Sequence, residues 1–397
     1  MHRRDLLKLA AGAGAGAFAG RLWAAPQAST RLLVVFLRGA YDAANVVIPV
    51  GSDFYYEARP TIRIPRPQAG DANAALPLDA DYGLHPWLKD TIYPLWQKGQ
   101  VAFVPFAGTD DLTRSHFATQ DTIELGQPIQ GSRDYRSGFL SRLYSQLTGQ
   151  ARPIAFTGEM PLSFRGALPV SNVAVDGFGK NAVDDQHARL IEQMYQGHAL
   201  AGSVAEGFQM RQQVDQALSG EMMAASRGAA SARGFELAAR RIGLLMQSTY
   251  NLGFVDVGGW DTHVNQGSVD GTLGQQLRPL GAGLAGFVEE IGPAAWNDTV
   301  VVVVSEFGRT FHENGDRGTD HGHGSVYWVL GGGIKGGRIL GEQVKLSPET
   351  LNEKRDYPVL TDYRALLGGL FQRMYGLDQA RLQAVFPKAP PKDLRLV

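Results

Sequence analysis

The chain of 397 residues contains no cysteine. This excludes disulfides, thiolate-zinc sites, a lipoprotein anchor, a thiol nucleophile and a cysteine-derived formylglycine together. Charge of one sign is also missing: 38 basic residues face 39 acidic ones, and no basic block stands out. Nucleic acid is therefore not an expected partner. A long hydrophobic run is absent too. The most apolar N-terminal stretch, Leu9–Gly20, is too short and too rich in glycine to span a bilayer, which needs about 20 apolar residues. What is present in quantity is apolar residue, 44% of the chain, enough for a large core.

The first 25 residues read as a removable export signal. Arg3-Arg4-Asp5-Leu6-Leu7-Lys8 is a twin-arginine pattern, followed by the weakly apolar run and by small residues at Ala24 and Ala25. The alternatives are a cytoplasmic helix or a membrane anchor. The expectation is transport of the folded protein by the twin-arginine (Tat) translocase to the periplasm or medium, with no stable membrane anchor. Loss of residues 1–25 removes four basic side chains and one acidic, a net of +3, moving the formal charge from −1 to −4.

From residue 30 to 397 strands alternate with helices. Leu32–Leu37, Val101–Phe106, Phe254–Val257, Val300–Val304 and Val326–Leu330 are short apolar runs of the kind found in fully buried strands. Helices are expected over Trp87–Trp96, from the turn at Ser115 to about Leu125, over Gly274–Ile291 with Leu277, Leu280, Leu284, Phe287 and Val288 on one face, and over Thr361–Tyr375. Residues 185–252 read as a long helical region, 153–175 as short β pieces, and 51–80 as a surface excursion. This order implies an α/β fold: a mostly parallel sheet with helices on both faces, in one domain with insertions.

Four strand ends deliver polar groups. Asp42 follows the first, Thr113-Arg114-Ser115-His116 the second, and Asp261-Thr262-His263 the third; Glu306, Arg309, Asp320, His321 and His323 follow the five valines. Loops at one edge of a parallel sheet lie side by side, so these residues are expected to share a crevice. Asp42, Asp261, His263, Glu306, Asp320, His321 and His323 are the candidate ligands of one or two divalent ions. Imidazole and carboxylate without thiolate suit Zn²⁺ or Mn²⁺, with Mg²⁺ or Ca²⁺ at an oxygen-rich subsite. The bland reading of any one of them is a polar loop residue. His116 is a candidate general acid, or else a capping or packing residue. Asn45 either touches substrate or holds its own turn, His187 and His198 read as solvated, His312 as a loop residue, and Gly331–Gly337 as a turn without the spacing of a phosphate loop.

GGWDTH, SEFGRT, GTDHGHG and GGGIKGGRILG, with LRGAYDAANVVIP and RSHFATQDTIELG, resemble the largely Tat-exported bacterial family catalogued as domain of unknown function fifteen-oh-one. The resemblance covers essentially the whole chain after the signal. That family is similar in turn to the alkaline phosphatase and sulfatase superfamily, which implies an alkaline phosphatase-like fold with metals at the carboxyl edge of the sheet. By that resemblance Asp42 matches the carboxylate after the first strand, Ser115 the hydroxyl nucleophile, and Asp261/His263 an Asp/His pair for one metal. Glu306 stands where the superfamily has Asp followed by His; Phe307 follows here, so His321 or His323 would replace that imidazole. The function implied is metal-assisted hydrolysis of an anionic phosphate or sulfate ester, with Arg114 and a helix N-terminus receiving the anion. The rival is a non-catalytic exported protein whose metal stabilises the fold or binds a polymer or partner. A phosphomutase or isomerase on the same scaffold is a third reading.

Overall fold

A computed structural model describes residues 30–147, 149–174, 193–197, 200–202, 204 and 234–397. The expected export signal, His187 and His198 lie outside these residues, as does most of the expected helical region over 185–252. In chain order the strands are β1 Arg31–Leu37, β2 Val47–Ile48, β3 Leu76–Pro77, β4 Gly83–Leu84, β5 Val101–Gly108, β6 Pro153–Ala155, β7 Ser171–Asn172, β8 Leu252–Val257, β9 Thr299–Ser305, β10 Ser325–Leu330, β11 Arg338–Ile339 and β12 Thr361–Asp362. The α-helices are α1 Asp53–Ala58, α2 Ile92–Gln97, α3 His116–Leu125, α4 Phe139–Gln146, α5 Phe235–Ser248, α6 Thr272–Asn297, α7 Tyr363–Tyr375 and α8 Gln379–Val385.

The large sheet runs β11-β5-β10-β9-β1-β8-β6-β7, with β12 also on β5, and β2-β4-β3 form a small separate sheet. β1 is parallel to both neighbours, in register Leu37↔Val257 with β8 and Leu37↔Ser305 with β9. β10 alone runs against the rest, antiparallel to β9 and β5. The sheet is therefore mostly parallel.

The apolar runs are explained by burial on both faces. Along β1, Leu33, Val35 and Leu37 enter one core with Leu277, Leu280, Leu284 and Phe287 of α6. Leu32, Val34 and Phe36 enter a second core with Phe139, Leu140 and Leu143 of α4 and Leu366, Leu370 and Phe371 of α7. The five valines divide in the same way, since successive side chains on a strand point to opposite faces. Each buried aliphatic side chain contributes roughly 1.5–3 kcal/mol, so this sheet centre is the rigid part of the molecule.

Two expectations are corrected. The helix over Trp87–Trp96 is divided into a 3₁₀ turn, Pro86–Leu88, and α2, because the chain turns between them. The excursion over 51–80 is not purely superficial: Tyr55, Arg59, Ile62 and Ile64 are each at most 1% exposed. Helix α6 extends the expected one at both ends and carries a break at Gly292, whose φ of +76° suits glycine.

Candidate metal centre

The registers bring the carboxyl ends of β1, β8 and β9 level with one another. β10 begins beside the end of β5, Ser325 pairing with Ala107, so the segment leading into β10 and the loop leaving β5 reach the same edge. Ligand candidates from four loops meet there for this reason.

The loop after β9 folds back on itself. Gly308 N–H donates to the His323 carbonyl at 2.8 Å, Thr310 N–H to the Asp320 carbonyl at 2.9 Å, and Gly322 N–H to the Gly308 carbonyl at 2.8 Å. A Cβ at Gly322 would lie 2.4 Å from the Arg309 carbonyl, and one at Gly308 1.9 Å from that of Gly324. The glycines of SEFGRT and DHGHG are needed for this close approach. It places His321 beside Phe307, ring centroids 5.3 Å apart, and Phe307 also lies 5.0 Å from the ring of His116.

His116 opens α3. Ser115 is its N-cap, Oγ accepting from Ala118 N–H at 3.4 Å, and Gly126 closes it in the left-handed conformation. The helix is held by Gln120, which donates to Glu306 at 2.9 Å, and by Arg38, which joins Gln120, Glu124 and Asp256 at 2.7–2.9 Å.

At the centre, His116 Nε2 lies 2.9 Å from His321 Nε2, and Asp261 Oδ1 lies 3.6 Å from the first and 3.5 Å from the second. His263 Nε2 adjoins at 3.1 Å from His321 Nε2 and 3.0 Å from Asp261 Oδ1. Each imidazole is oriented through its other nitrogen. His116 Nδ1 is 2.8 Å from Glu306 Oε1, His321 Nδ1 is 3.0 Å from the Arg114 carbonyl, and His263 Nδ1 is 3.2 Å from Asp320 Oδ1. All three partners only accept, so Nδ1 carries the proton in each ring. The Nε2 lone pairs of neutral His116 and His321 are then left facing each other beside a carboxylate. Two lone pairs at this separation repel, and a proton or a metal ion between them removes the conflict. For bonds of about 2.1 Å, tetrahedral ligands sit roughly 3.4 Å apart, close to the separations here. His116, Asp261 and His321 are the three groups whose ligand atoms all fall within 4.8 Å of one another.

Electrostatics agree with that division of labour. The bond to Glu306 raises the pKa of His116 above its usual 6.5, whereas burial and the neighbouring His116 lower that of His321. In the metal-free protein these shifts favour His116 over His321 as the holder of a shared proton. Burial alone would raise the pKa of Asp261, but the Arg309 guanidinium outweighs it and holds the carboxylate ionised. Arg309 ties three loops together: it donates to the carbonyls of Ala40, Gly39, Trp260 and Thr319 at 2.5–3.2 Å and pairs with Asp261. The sequence places Arg309 in the loop; its role as the clamp depends on carbonyls far away in the chain.

Several expected site residues are placed elsewhere. Asp42 is not brought to the cluster: it is 1% exposed, both its oxygens face the Arg59 guanidinium, and Gln266 Nε2 donates to it. The cause is the buried course of 51–80, which supplies Arg59. Glu306 and Asp320 stand behind the imidazoles as their acceptors, because the imidazoles lie between them and the convergent atoms. His323 is 7% exposed and faces Asp356, Arg114, Asp111 and Asp110. The Arg114 side chain is engaged by Glu353 and Asp356, so the residue meets the cluster through its carbonyl. His116 is aimed into the cluster, a role missed when it is read as an acid or a cap. Asn45 holds its turn, accepting from Tyr55 and Arg59 and donating to the Ile62 carbonyl. Trp260 is fully buried beneath the site against Tyr41.

A family model described as "Protein of unknown function (DUF1501)" matches residues 29–386. The chain belongs to this family. No curated protein matches it. Among solved structures, one described as "Crystal structure of Ps i-CgsB in complex with k-i-k-neocarrahexaose" is similar at 9% identity, over 92% of this chain and 75% of that one, with a TM-score of 0.39. A likeness of that size carries no argument about fold or activity.

Glu306→Gln is expected to lower metal affinity about 10–100-fold, the usual cost of losing a carboxylate behind a ligating imidazole. The pKa of His116 should fall back toward 6.5 in the same variant, since the bond to Glu306 is what raises it. Zinc titration and histidine NMR check the two effects separately.

Proposed function

We propose that the chain is an exported, metal-dependent hydrolase of phosphate or sulfate esters, in which His116, Asp261 and His321 hold one divalent ion and His263 stands beside them. The observation that carries the metal reading is the pair of Nε2 atoms 2.9 Å apart, each with its proton committed to the far side of the ring. Two imidazoles and one carboxylate suit Zn²⁺, then Mn²⁺. The three side chains are 20–45% exposed, which favours an open, substrate-accessible site over a closed structural one. An ion there supplies positive charge for an anionic ester and a route to a nucleophile near neutral pH. Arg309 keeps Asp261 ionised, Glu306 and the Arg114 carbonyl hold the two facing imidazoles, and Ser115, one residue before His116, is the hydroxyl assigned as nucleophile.

An alkaline phosphatase-like arrangement and Tat export to the periplasm or medium belong to the same proposal and are supported by the motifs and by the twin-arginine pattern at Arg3-Arg4. No helix among the described residues is long and apolar enough to cross a membrane. A second reading, a non-catalytic metal-stabilised binding or assembly protein, is favoured by one observation. The Arg114 guanidinium that would receive an anion is already paired with two carboxylates.

Metal analysis of the purified protein, followed by assays on aryl phosphates and aryl sulfates with Zn²⁺, Mn²⁺ or Ca²⁺, decides between them. One bound equivalent with turnover supports the hydrolase. One equivalent without turnover supports the second reading, and absence of any bound metal sinks both. Activity unchanged in Ser115→Ala removes the nucleophile assignment alone.

The pH dependence has opposite signs with and without metal. His116 has a raised pKa in the folded state. In the metal-free protein its contribution to stability is fully present below the unfolded value near 6.5 and is lost as pH rises through the folded value. Metal must displace that proton, so affinity is expected to be full above the folded pKa and to fall as pH drops through it. Zinc titrations and metal-free melting curves across pH 5–9 check this; parallel trends would refute the shared-proton assignment.

A further inference from the structure

We propose that Gln266 is a positioning residue that aligns the two loops bearing His263 and His321, with the Asp42–Arg59 pair as its anchor. This rests on the metal reading above.

Gln266 is fully buried. Its Nε2 donates to Asp42 Oδ2 at 2.6 Å, and its Oε1 accepts from Thr262 Oγ1 and from Thr319 Oγ1, both at 2.9 Å. Thr262 lies between Asp261 and His263, and Thr319 immediately precedes Asp320 and His321. One amide oxygen therefore receives a hydroxyl from each ligand-bearing loop. The two loops also touch directly, Thr319 N–H donating to the Thr262 carbonyl at 3.2 Å.

The orientation of this amide is dictated by charge. Asp42, a carboxylate paired with Arg59, only accepts, so the NH₂ end must face it and the oxygen must face the threonines. Arg59 in turn donates to the carbonyls of Thr310 and Phe311, in the loop that carries Arg309 toward the cluster. Asp42, Thr262 and Thr319 are each at most 1% exposed, so no solvent can substitute for a lost partner. The frame runs from Arg59 through Asp42 and Gln266 to both loops and sets the spacing of their imidazoles. Residues that fix ligands from behind in this way govern metal affinity.

The test uses the full chain, with Zn²⁺ for affinity and Co²⁺ for the visible spectrum of the site. Gln266→Glu keeps the acceptor for both threonines but sets a second carboxyl group against Asp42. It is expected to weaken Zn²⁺ binding about 10–100-fold and to alter the Co²⁺ bands. Thr262→Val with Thr319→Val removes both hydroxyls without placing charge in the interior. This milder variant keeps the test open if Gln266→Glu does not fold; a several-fold loss is expected. Affinity and Co²⁺ spectra equal to those of the unaltered chain in folded variants would overturn the role of Gln266 while leaving the metal site standing. Failure of the unaltered chain to bind either ion removes the metal reading, and this inference with it.

Discussion

Replacing His321 by alanine is expected to abolish the shared metal site, lowering Zn²⁺ affinity by more than the roughly 100-fold that marks the loss of a supporting group. His321 Nε2 lies between the other two imidazoles, 2.9 Å from His116 and 3.1 Å from His263, and is the ring that bridges them. The same substitution frees His116 from its facing lone pair. Its proton then has only Glu306 and Asp261 to answer to. His312→Ala is the control, because His312 is exposed and packs on Phe54 and Phe311 rather than on the cluster. Equilibrium dialysis against Zn²⁺ reads the result. A His321→Ala protein that still holds one equivalent with unchanged affinity would show that the convergence of imidazoles has nothing to do with metal.

Arg59→Ala should have the largest effect on stability, about 3–5 kcal/mol, the usual cost of stranding one partner of a buried ion pair. Arg59 and Asp42 are both essentially inaccessible, and the guanidinium also satisfies the carbonyls of Thr310 and Phe311 and the side chain of Asn45. Removal leaves the Asp42 carboxylate with only the Gln266 amide, and takes a donor from two carbonyls, in a space that water does not reach. Replacing the pair together, Arg59→Met with Asp42→Asn, should cost less than Arg59→Ala alone, since no charge is then stranded. Denaturant unfolding of the three variants measures the difference; a cost below about 1 kcal/mol for Arg59→Ala would mean that Asp42 is solvated in solution.

The sheet is legible in the sequence because it is buried on both faces. Leu32–Leu37 and Val300–Val304 carry no polar residue, and such runs have few alternatives to an interior parallel strand. The start of α3 at Ser115 and the cap at Asp362 are legible for the same local reason, a short polar side chain bonding to the first free N–H groups. Residues 51–80 were less legible. Their proline, aspartate and alanine content reads as surface, yet Arg59 is drawn inside by a charge 17 positions earlier.

The sequence by itself determined which residue types gather at the carboxyl edge, because strand order and alternation leave those loops nowhere else to go. It did not determine which of them touch one another. Asp42, Asp261, Glu306 and Asp320 are equivalent in the sequence: each is a carboxylate in a loop at a strand end. Tertiary structure separates them by partner, giving Asp42 to Arg59, Glu306 to His116, Asp320 to His263, and leaving Asp261 at the centre beside Arg309. The physical reason is that an ion pair or an imidazole tautomer is set by the group across from it. For Glu306 and His116 that group lies 190 residues away, where no local pattern can record it.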